Sequence, residues 1–511
     1  MIQRTAQAVR PDRRTAYLRI DHLYMVLALV TFGVFTSLVP LPPLDFWWHL
    51  RVGQLIAQTG SVPRTNLFAW SLPATSPFVY GAWLGEWLFY IIYRGGGLQL
   101  VVFTRTLLAL ASFGIVGLIA QRRSGSWRLA SLAVGLAEAM TLNNLPVRTQ
   151  NWSWLIFALF LLILTQYARG AWGRRSLWAL PPLMIIWANT HGAFILGLVL
   201  VALFTTGETL RTLSRGAGRL PWQKVAQLPL IGVITALATL ITPQGTGIFR
   251  YVAKLVTDPS IQQLVSEWQS PTPHGLANQT FFISILLLLV ALATARQRPT
   301  PTDLLLVCAF TWLAWTGMRN VVWYGMVVMP VLAQALSVPQ PVTAMSRRQR
   351  SASAVNSLLC GLMLLPLIWV QPWFVRNVPL GRGYNAQVLP PPSPPLMSTQ
   401  TPAPDVMQYL HQHPGSKLFN EMGYGSYLIW ALPETAVFID PRIELYPLAQ
   451  WEDYLHISKG EHAVELLSKY GANRVLLSRA GQPNLSQALG VAADWKREYQ
   501  NNASELWQKQ P

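Results

Sequence analysis

Long apolar segments separated by short polar ones repeat along the first 374 residues of the chain. Each is about 20 residues long, the length that a helix needs to cross a bilayer core of roughly 30 Å. Their centres fall near residues 32, 109, 135, 160, 184, 201, 233, 287, 310, 329 and 364. The pattern predicts a polytopic α-helical membrane protein with about eleven transmembrane (TM) helices.

Beyond residue 374 the pattern changes from long apolar runs to short alternating ones. The stretch "VLPPPSPPLMSTQTPAP" is typical of an extended linker. After it, the strand-like runs "SKLFNE", "TAVFIDPR" and "NRVLLS" alternate with helical patterns such as "GEHAVELLSKYGA", and the final segment predicts a hairpin. We therefore predict a Pro-rich linker over 375–404 and a small extracytoplasmic α/β domain over 405–511.

The composition also favours a membrane protein over a soluble one. Hydrophobic residues make up 52% of the chain and charged residues 12%, whereas soluble domains carry about 25% charged residues. The net charge of +18 could suit nucleic acid, but residues 1–374 hold 28 Lys and Arg against nine Asp and Glu, and the remainder holds 11 against 12. Because the positive charge belongs to the membrane part, we predict no nucleic-acid partner.

The basic residues of this part lie in alternate short loops. Six segments, from "RTAQAVRPDRR" to "SRRQR", and Arg19 together account for 20 of these 28 Lys and Arg residues. This is the bias that the positive-inside rule describes. The rule predicts a cytoplasmic N-terminal segment over 1–22, a TM domain over 23–374 and, since the number of spans is odd, an exported C-terminal domain. We expect the plasma (inner) membrane and no cleaved signal peptide.

The first outer loop, 43–97, is too apolar and aromatic for a flexible connector. Its segments "DFWWHLRVGQLIAQ" and "YGAWLGEWLFYIIYR" both have an apolar side and predict helices. Because tryptophan and tyrosine favour the membrane–water interface, we expect both helices to lie on or dip into the outer leaflet.

Polar residues recur at the predicted outer turns, and charges near a bilayer usually face a cavity or one another. Asp45 and Glu86 are the candidate catalytic carboxylates, either of which could act as a general base. Arginines at these turns suit a phosphate, which guanidinium grips with paired hydrogen bonds. The candidate substrate- or phosphate-binding residues are His49, Arg51, Arg148, Asn189, His191, Glu267, Arg319 and Asn320.

Each candidate also has a structural interpretation. Asp45 and His49 are four residues apart on one helical face, so they could form an ion pair. Glu86 could be a hydrogen-bonded anchor between tryptophans, His191 a hydrogen-bonded histidine between helices, and Glu267 a loop cap. The three arginines could each be structural when taken singly.

The order of features in the first outer loop resembles the GT-C superfamily of membrane glycosyltransferases, which includes protein O-mannosyltransferases and lipid A aminoarabinose transferases. The features are an acid after the first span, an amphipathic helix, a "G…P" turn and a second helix: "DFWWHLRVGQLIAQTGSVPRTNLFAW…GAWLGEWLFYIIYRGGG". The chain also looks like a group of bacterial multi-pass proteins that share "D-x-WWHL-R-x-G", "W-x-N-x-HG", "EW-x-SP" and "FIDPR-x-E-x-Y".

This resemblance implies a GT-C-like fold, a polyprenyl-phosphate-linked sugar as donor, and transfer to an acceptor on the outer face. Asp45 matches the position of the family's first-loop acid, and Glu86 is an approximate counterpart of its further carboxylates. The family's usual "RY" after the first acid and its "KPPL"-like stretch are absent. Some members use a divalent cation and others do not, so a metal cofactor stays open.

Two other functions remain open besides the transfer of a sugar from a membrane-lipid donor. A non-catalytic scaffold or binding subunit could keep the fold and use the C-terminal domain to hold a partner, since fold does not determine function. A lipid or solute transporter would need polar residues at mid-bilayer and on both faces, and Glu138 within a predicted span leaves room for one. The two cysteines, Cys308 and Cys360, both lie in predicted spans and offer neither a disulfide framework nor a thiolate metal site.

Overall fold

In the computed structural model, residues 18–338, 347–373, 404–415 and 417–510 are described, together with residues 400 and 402. Most of the predicted N-terminal segment 1–22 and of the linker 375–404 therefore lies outside the described residues.

The described part of the N-terminal region is mainly helical. Its helices are α1 (Ile20–Leu38), α2 (Phe46–Thr59), α3 (Trp83–Ser124), α4 (Trp127–Thr141), α5 (Gln150–Ala168), α6 (Leu180–Thr190), α7 (Ile195–Leu213), α8 (Trp222–Val225), α9 (Gln227–Ala238), α10 (Gly247–Thr257), α11 (Pro259–Leu264), α12 (Leu276–Thr294), α13 (Pro301–Thr316), α14 (Val321–Ala335) and α15 (Arg347–Trp369).

All eleven predicted span centres lie within helices, which confirms the helical membrane architecture. Of the described helical segments, five are long and apolar enough to cross a bilayer, and two shorter apolar segments join them. Helices such as α6 and α9 rise only about 16–18 Å at 1.5 Å per residue, which is less than a bilayer core. The number of eleven spans therefore stays a prediction.

Both predicted helices of the first outer loop are present. Helix α2 ends at Gly60, whose φ of 67° is left-handed and whose N–H closes the last turn on the carbonyl of Ile56. Helix α3 contains a kink at Gly96 and Gly97, where the φ of Gly97 is 64°. The second loop helix and the following span are thus one continuous element bent at two glycines.

The basic loops meet at one end of the helical bundle. Arg169 donates to the carbonyl of Arg122 at 3.0 Å, and the Tyr167 hydroxyl donates to the carbonyl of Lys224 at 2.8 Å. The loops after α3, α5 and α7 therefore share what we name the basic end. This arrangement agrees with the single-sided distribution of charge in the sequence, while the membrane side that the basic end faces stays a prediction.

The C-terminal part is a small α/β unit. Its strands are β1 (Leu418–Asn420), β2 (Arg474–Ser478), β3 (Trp495–Gln500) and β4 (Ser504–Lys509), and its helices are α16 (Pro404–Gln412), α17 (Met422–Ala431), α18 (Leu448–Ser458), α19 (Ala463–Tyr470) and α20 (Pro483–Val491). The sheet order is β1-β2-β4-β3, with β1 parallel to β2 and the other pairs antiparallel. The predicted closing hairpin is confirmed by β3 and β4.

The predicted strand "TAVFIDPR" is wrong. Its backbone is held by a side chain instead of a sheet neighbour: the Asn420 amide accepts from the N–H of Phe438 and donates to the carbonyl of Ile439, both at 2.8 Å. Val437 forms an isolated bridge with the first outer loop, through the N–H of Val437 and the carbonyl of Phe68 at 2.9 Å. The run is apolar because it is buried between the C-terminal unit and the loop.

A buried ion pair joins the C-terminal unit to the first outer loop. Arg442 and Asp440 pair at 2.6 Å, and both side chains are 0% exposed. The Arg442 guanidinium also lies 5.1 Å and 5.3 Å from the ring centroids of Phe68 and Phe78 and donates to the Tyr80 hydroxyl at 3.3 Å. The loop is thereby fixed to the unit by charge and aromatic contacts that exclude water.

Candidate active site

Charged side chains from five separate segments gather at the end of the bundle opposite the basic loops. Each lies where a helix starts or is interrupted. Asp45 precedes α2, Arg148 precedes α5, and the three short 3-10 turns Ser266–Trp268, Met318–Asn320 and Ile443–Leu445 carry the remaining three, which are Glu267, Arg319 and Glu444. We name this group the outer cluster.

Arg148 connects two carboxylates within the outer cluster. Its Nε lies 3.4 Å from Asp45 Oδ2, and its Nη1 donates to Glu267 Oε2. The side chains of Arg148, Asp45 and Glu267 are 19%, 29% and 26% exposed, so all three can be reached from outside the protein. Burial acts to raise the pKa of Glu267, but the charge and hydrogen bond of Arg148 outweigh it and lower that pKa below its usual value.

Arg319 has no carboxylate partner among the described residues, so its N–H groups are available to an anion. Its guanidinium stacks on Trp268, 4.5 Å from the ring centroid, and within the described parts of the chain it forms no ion pair closer than 4.0 Å. Burial lowers its pKa, the charge of Glu267 acts to raise it, and the charge of Arg148 acts to lower it further. A stacked guanidinium is held in place while its N–H groups stay available.

His191 is partly buried, and burial and the charges of Arg319 and Arg148 all act to lower its pKa. Its Nδ1 accepts from the backbone N–H of Ala193 at 3.1 Å and lies 3.1 Å from Ser153 Oγ. Because an N–H can only donate, Nδ1 carries no proton and the proton of the neutral ring is on Nε2. Burial, followed by the charge of Arg319, lowers the pKa of His191 to about 3. The ring can therefore donate a hydrogen bond without carrying a charge.

His49 pairs with Glu86 and not with Asp45. His49 Nδ1 lies 2.9 Å from Glu86 Oε1, and Glu86 is 0% exposed. The interpretation of Asp45 and His49 as a structural ion pair is therefore not what the structure shows. The carboxylate of Glu86 is enclosed by the protein and contacts His49, and its catalytic role stays a prediction.

The close approach of α2 and α3 explains this pairing. A Cβ added at Gly53 would lie 2.1 Å from the carbonyl oxygen of Glu86, so only glycine allows the two helices to touch here. The glycine of the "R-x-G" pattern in the first outer loop is thus a packing requirement that sets the position of Glu86.

Three of the candidate residues have other partners. Arg51 donates to Gln54 Oε1 at 2.5 Å. The Asn189 amide accepts from Trp83 Nε1 at 2.6 Å and donates to two backbone carbonyls at 2.8 Å. Asn320 Nδ2 donates to the carbonyl of Leu313 at 3.2 Å. The contacts of Asn189 and Asn320 join neighbouring helices and turns, whereas Arg51 bonds a residue of its own helix. The three side chains stay predicted binding residues outside the outer cluster.

Glu444 joins the cluster although it is not among the site residues predicted from the sequence. Its Oε1 is 3.4 Å from the hydroxyl of Tyr251, and its backbone carbonyl accepts from Lys254 Nζ at 3.1 Å. Burial, together with the charge of Asp45, raises the pKa of Glu444. The pattern "FIDPR-x-E-x-Y" contained this acid, but nothing in the spacing along the chain indicated that it lies near Asp45.

Helix α17 of the C-terminal unit caps the helix that follows Asp45. The Ser426 hydroxyl accepts from the N–H of Trp48 at 3.1 Å and donates to the carbonyl of Leu44. Asp45 itself makes no capping bond with its side chain, although aspartate is a good capping residue. The Asp45 carboxylate is therefore left for Arg148 because another residue caps the helix.

A metal ion has no evident ligand set here. In the residues that the structure describes, no group of three or more His, Cys, Asp or Glu side chains is arranged to hold one. Asp45 and Glu267 both contact Arg148.

Several solved structures of membrane glycosyltransferases have a similar fold. The archaeal oligosaccharyltransferase AglB from Archaeoglobus fulgidus, in complex with an inhibitory peptide and a dolichol-phosphate, matches with a TM-score of 0.50 and 12% identity over 92% of this chain and 72% of that one. The arabinofuranosyltransferase AftD from Mycobacteria matches with a TM-score of 0.57 and 14% identity over 97% of this chain and 42% of that one, so this chain spans less than half of AftD.

The apo structure of ArnT from Cupriavidus metallidurans matches with a TM-score of 0.50 and 14% identity over 95% of this chain and 97% of that one. No protein-family model matches the sequence, and no curated protein matches it. At these identities the likeness is one of fold, and it confirms the architecture that the first outer loop implied. The chain shares its fold with these three solved proteins, and this likeness agrees at the level of fold with the resemblance of its first outer loop to the GT-C superfamily.

Proposed function

We propose that the protein is a membrane glycosyltransferase that moves a sugar from a polyprenyl-phosphate-linked donor to an acceptor on the outer face of the membrane. The observation that carries the proposal is the outer cluster, in which Asp45 lies within 4 Å of Arg148 while Arg319 stays unpaired among the described residues. The GT-C fold supports it, and AglB was solved with a dolichol-phosphate, which is a polyprenyl phosphate.

The arginines suit the phosphate of such a donor. In the reaction the acceptor oxygen bonds to the anomeric carbon of the sugar, the bond from that carbon to the phosphate oxygen breaks, and the phosphate leaves with an additional negative charge. Arg319 supplies N–H donors for that charge, and the positive charge of Arg148 acts on the same region. His191 adds a neutral Nε2–H donor.

Asp45 suits the role of general base for the acceptor hydroxyl. Its carboxylate is 29% exposed and lies 3.4 Å from Arg148 Nε, so it is held at a fixed place where an acceptor hydroxyl can reach it. Glu267 serves as a positioning residue because it bonds Arg148 from the other side. His49 and Glu86 support α2 behind Asp45.

A transfer assay tests the proposal. The purified protein in lipid nanodiscs is given radiolabelled polyprenyl-phosphate sugars, and label transfer or donor hydrolysis is measured for the wild type and for Asp45→Asn. Loss of a general base lowers the rate by about 100- to 10,000-fold. Arg319→Gln should weaken donor binding as well as the rate.

Asp258→Asn is the matched control for Asp45→Asn. Asp258 is also an acid of the outer loops, but its side chain caps α11 by accepting from the N–H of Ser260 at 2.9 Å. Asparagine caps helices about as well as aspartate, so this variant should keep its activity. Donor binding without any transfer would favour the scaffold function, and transfer that is equal in both variants would remove Asp45 from the mechanism.

A further inference from the structure

A groove of about 410 Å³ lies at the basic end of the bundle, far along the helices from the outer cluster. One wall is the 3-10 turn Arg174–Ala179, and the other is the first part of α9. The groove is lined by Arg174, Arg175, Leu177, Trp178, Gln227, Leu230 and Ile231.

The walls of the groove are preformed. Leu177 is 2% exposed and Ile231 is 3% exposed, so both anchor their elements in the protein interior. Gln227 accepts from the Tyr167 hydroxyl at 2.9 Å, which ties the start of α9 to α5. The shape of the groove therefore follows from buried contacts and does not require a ligand to form it.

The groove has a cationic part and an apolar part. Arg174 and Arg175 are exposed, and neither pairs with any carboxylate in the described ranges. Trp178 is 57% exposed and Leu230 is 59% exposed. Side chains of this kind in a membrane protein face lipid, and tryptophan favours the depth of the headgroups. Two unpaired guanidiniums beside exposed apolar side chains match an anionic amphiphile.

We propose that this groove binds an anionic glycerophospholipid from the leaflet at the basic end. Its phosphate contacts Arg174 and Arg175, and its acyl chain lies along Trp178 and Leu230. Basic pockets between TM helices are suited to anionic headgroups, and guanidinium binds phosphate in a bidentate manner. The proposal is independent of the proposed function, because none of the residues involved belongs to the outer cluster.

Native mass spectrometry with defined lipids tests this site. The purified wild-type protein is titrated with dioleoyl-phosphatidylglycerol or with dioleoyl-phosphatidylcholine, which have the same chains and differ in headgroup charge. We expect tighter binding of phosphatidylglycerol. The double variant Arg174→Gln/Arg175→Gln should raise its apparent Kd by roughly 30-fold, since each arginine near an anionic headgroup contributes about a factor of five.

The double variant Arg296→Gln/Arg298→Gln is the charge-matched control. These two arginines are also exposed, lie in the loop between α12 and α13, and are absent from the groove. The control should change the apparent Kd for phosphatidylglycerol by less than about threefold. Equal effects of the two double variants, or equal binding of the two lipids, would overturn the proposal in favour of nonspecific attraction.

A third variant tests the apolar part. Trp178→Ala removes an exposed wall of the groove and should weaken the binding of both lipids to a similar degree. Unchanged binding of phosphatidylglycerol to this variant would show that the lipid is not seated along Trp178 and would overturn the assignment.

Discussion

The capping of α2 by Ser426 gives a prediction that links the C-terminal unit to Asp45. In Ser426→Ala the N–H of Trp48 and the carbonyl of Leu44 both lose their partner. Ser426 is 0% exposed, so water does not readily replace the hydroxyl. Loss of a helix cap costs about 0.5–2 kcal/mol, and a buried polar group without a partner costs about 1–3 kcal/mol.

A destabilisation of about 2 kcal/mol in the first turn of α2 corresponds to a roughly 30-fold faster local opening. Hydrogen–deuterium exchange measures this directly in peptides that cover the start of α2. Because Asp45 precedes that turn, we also expect the transfer rate to fall while the apparent affinity for the donor changes little.

Ser468→Ala is the control, since Ser468 is an exposed serine of the same unit. Surface substitutions of this kind usually change stability by less than about 0.5 kcal/mol. If Ser426→Ala and Ser468→Ala gave the same exchange in α2, the reasoning that the C-terminal unit positions Asp45 would be refuted.

Three other predictions concern packing and charge. Gly53→Ala should destabilise the protein by about 1–3 kcal/mol, measured by thermal unfolding, because its Cβ would meet the backbone of α3 at 2.1 Å. Asp440→Asn should cost about 3–5 kcal/mol, since it leaves the fully buried guanidinium of Arg442 without its counter-charge. Glu267 and Glu444 should respond oppositely to pH in melting experiments. The lowered pKa of Glu267 gives stability that is present above its ordinary value of 4.5 and is lost as the pH falls through the folded-state pKa, so Glu267→Gln destabilises at neutral pH. The raised pKa of Glu444 gives stability that is present below 4.5 and is lost as the pH rises through the folded-state pKa, so Glu444→Gln stabilises at neutral pH.

Each of these predictions has an internal comparison. Gly114 lies in α3 with nothing within 4 Å of a Cβ added to it, so Gly114→Ala should be neutral or slightly stabilising. Equal effects at Gly53 and Gly114 would contradict the close approach of α2 and α3. A melting temperature of Asp440→Asn equal to that of the wild type would mean that Arg442 finds another partner. The same pH profile for both glutamate variants would contradict their assigned environments.

Much of the outer cluster was predictable because topology alone brings polar outer turns to one level of the membrane. Asp45, Arg148, Glu267 and Arg319 were among the ten candidate residues predicted on that ground. In the structure Arg148 contacts Asp45 and Glu267, and the charges of Glu267 and Arg148 act on Arg319. Their roles in binding and catalysis stay proposals.

The pairing of these residues was not predictable in the same way. Helical spacing indicated that His49 shares a face with Asp45, yet the nearest acid to His49 comes from α3 at 2.9 Å. Spacing within a helix shows which side chains point in the same direction, but the contact across helices depends on Gly53, which decides how close α3 comes. The misassigned strand "TAVFIDPR" has the same cause: an apolar run indicates burial, and it does not indicate which backbone or side chain will hold it.

The sequence by itself determined the class of the protein, the places of its helices, the division of charge between its loops and the presence of an α/β unit. These properties depend on hydropathy and charge, which are summed over neighbouring residues and need no knowledge of the fold. Only the tertiary structure decided that Arg148 connects Asp45 to Glu267, that Ser426 caps the helix after Asp45, and that Glu444 joins the cluster. Those contacts join segments about 100 to 400 residues apart, and their geometry follows from how the helices and the C-terminal unit pack.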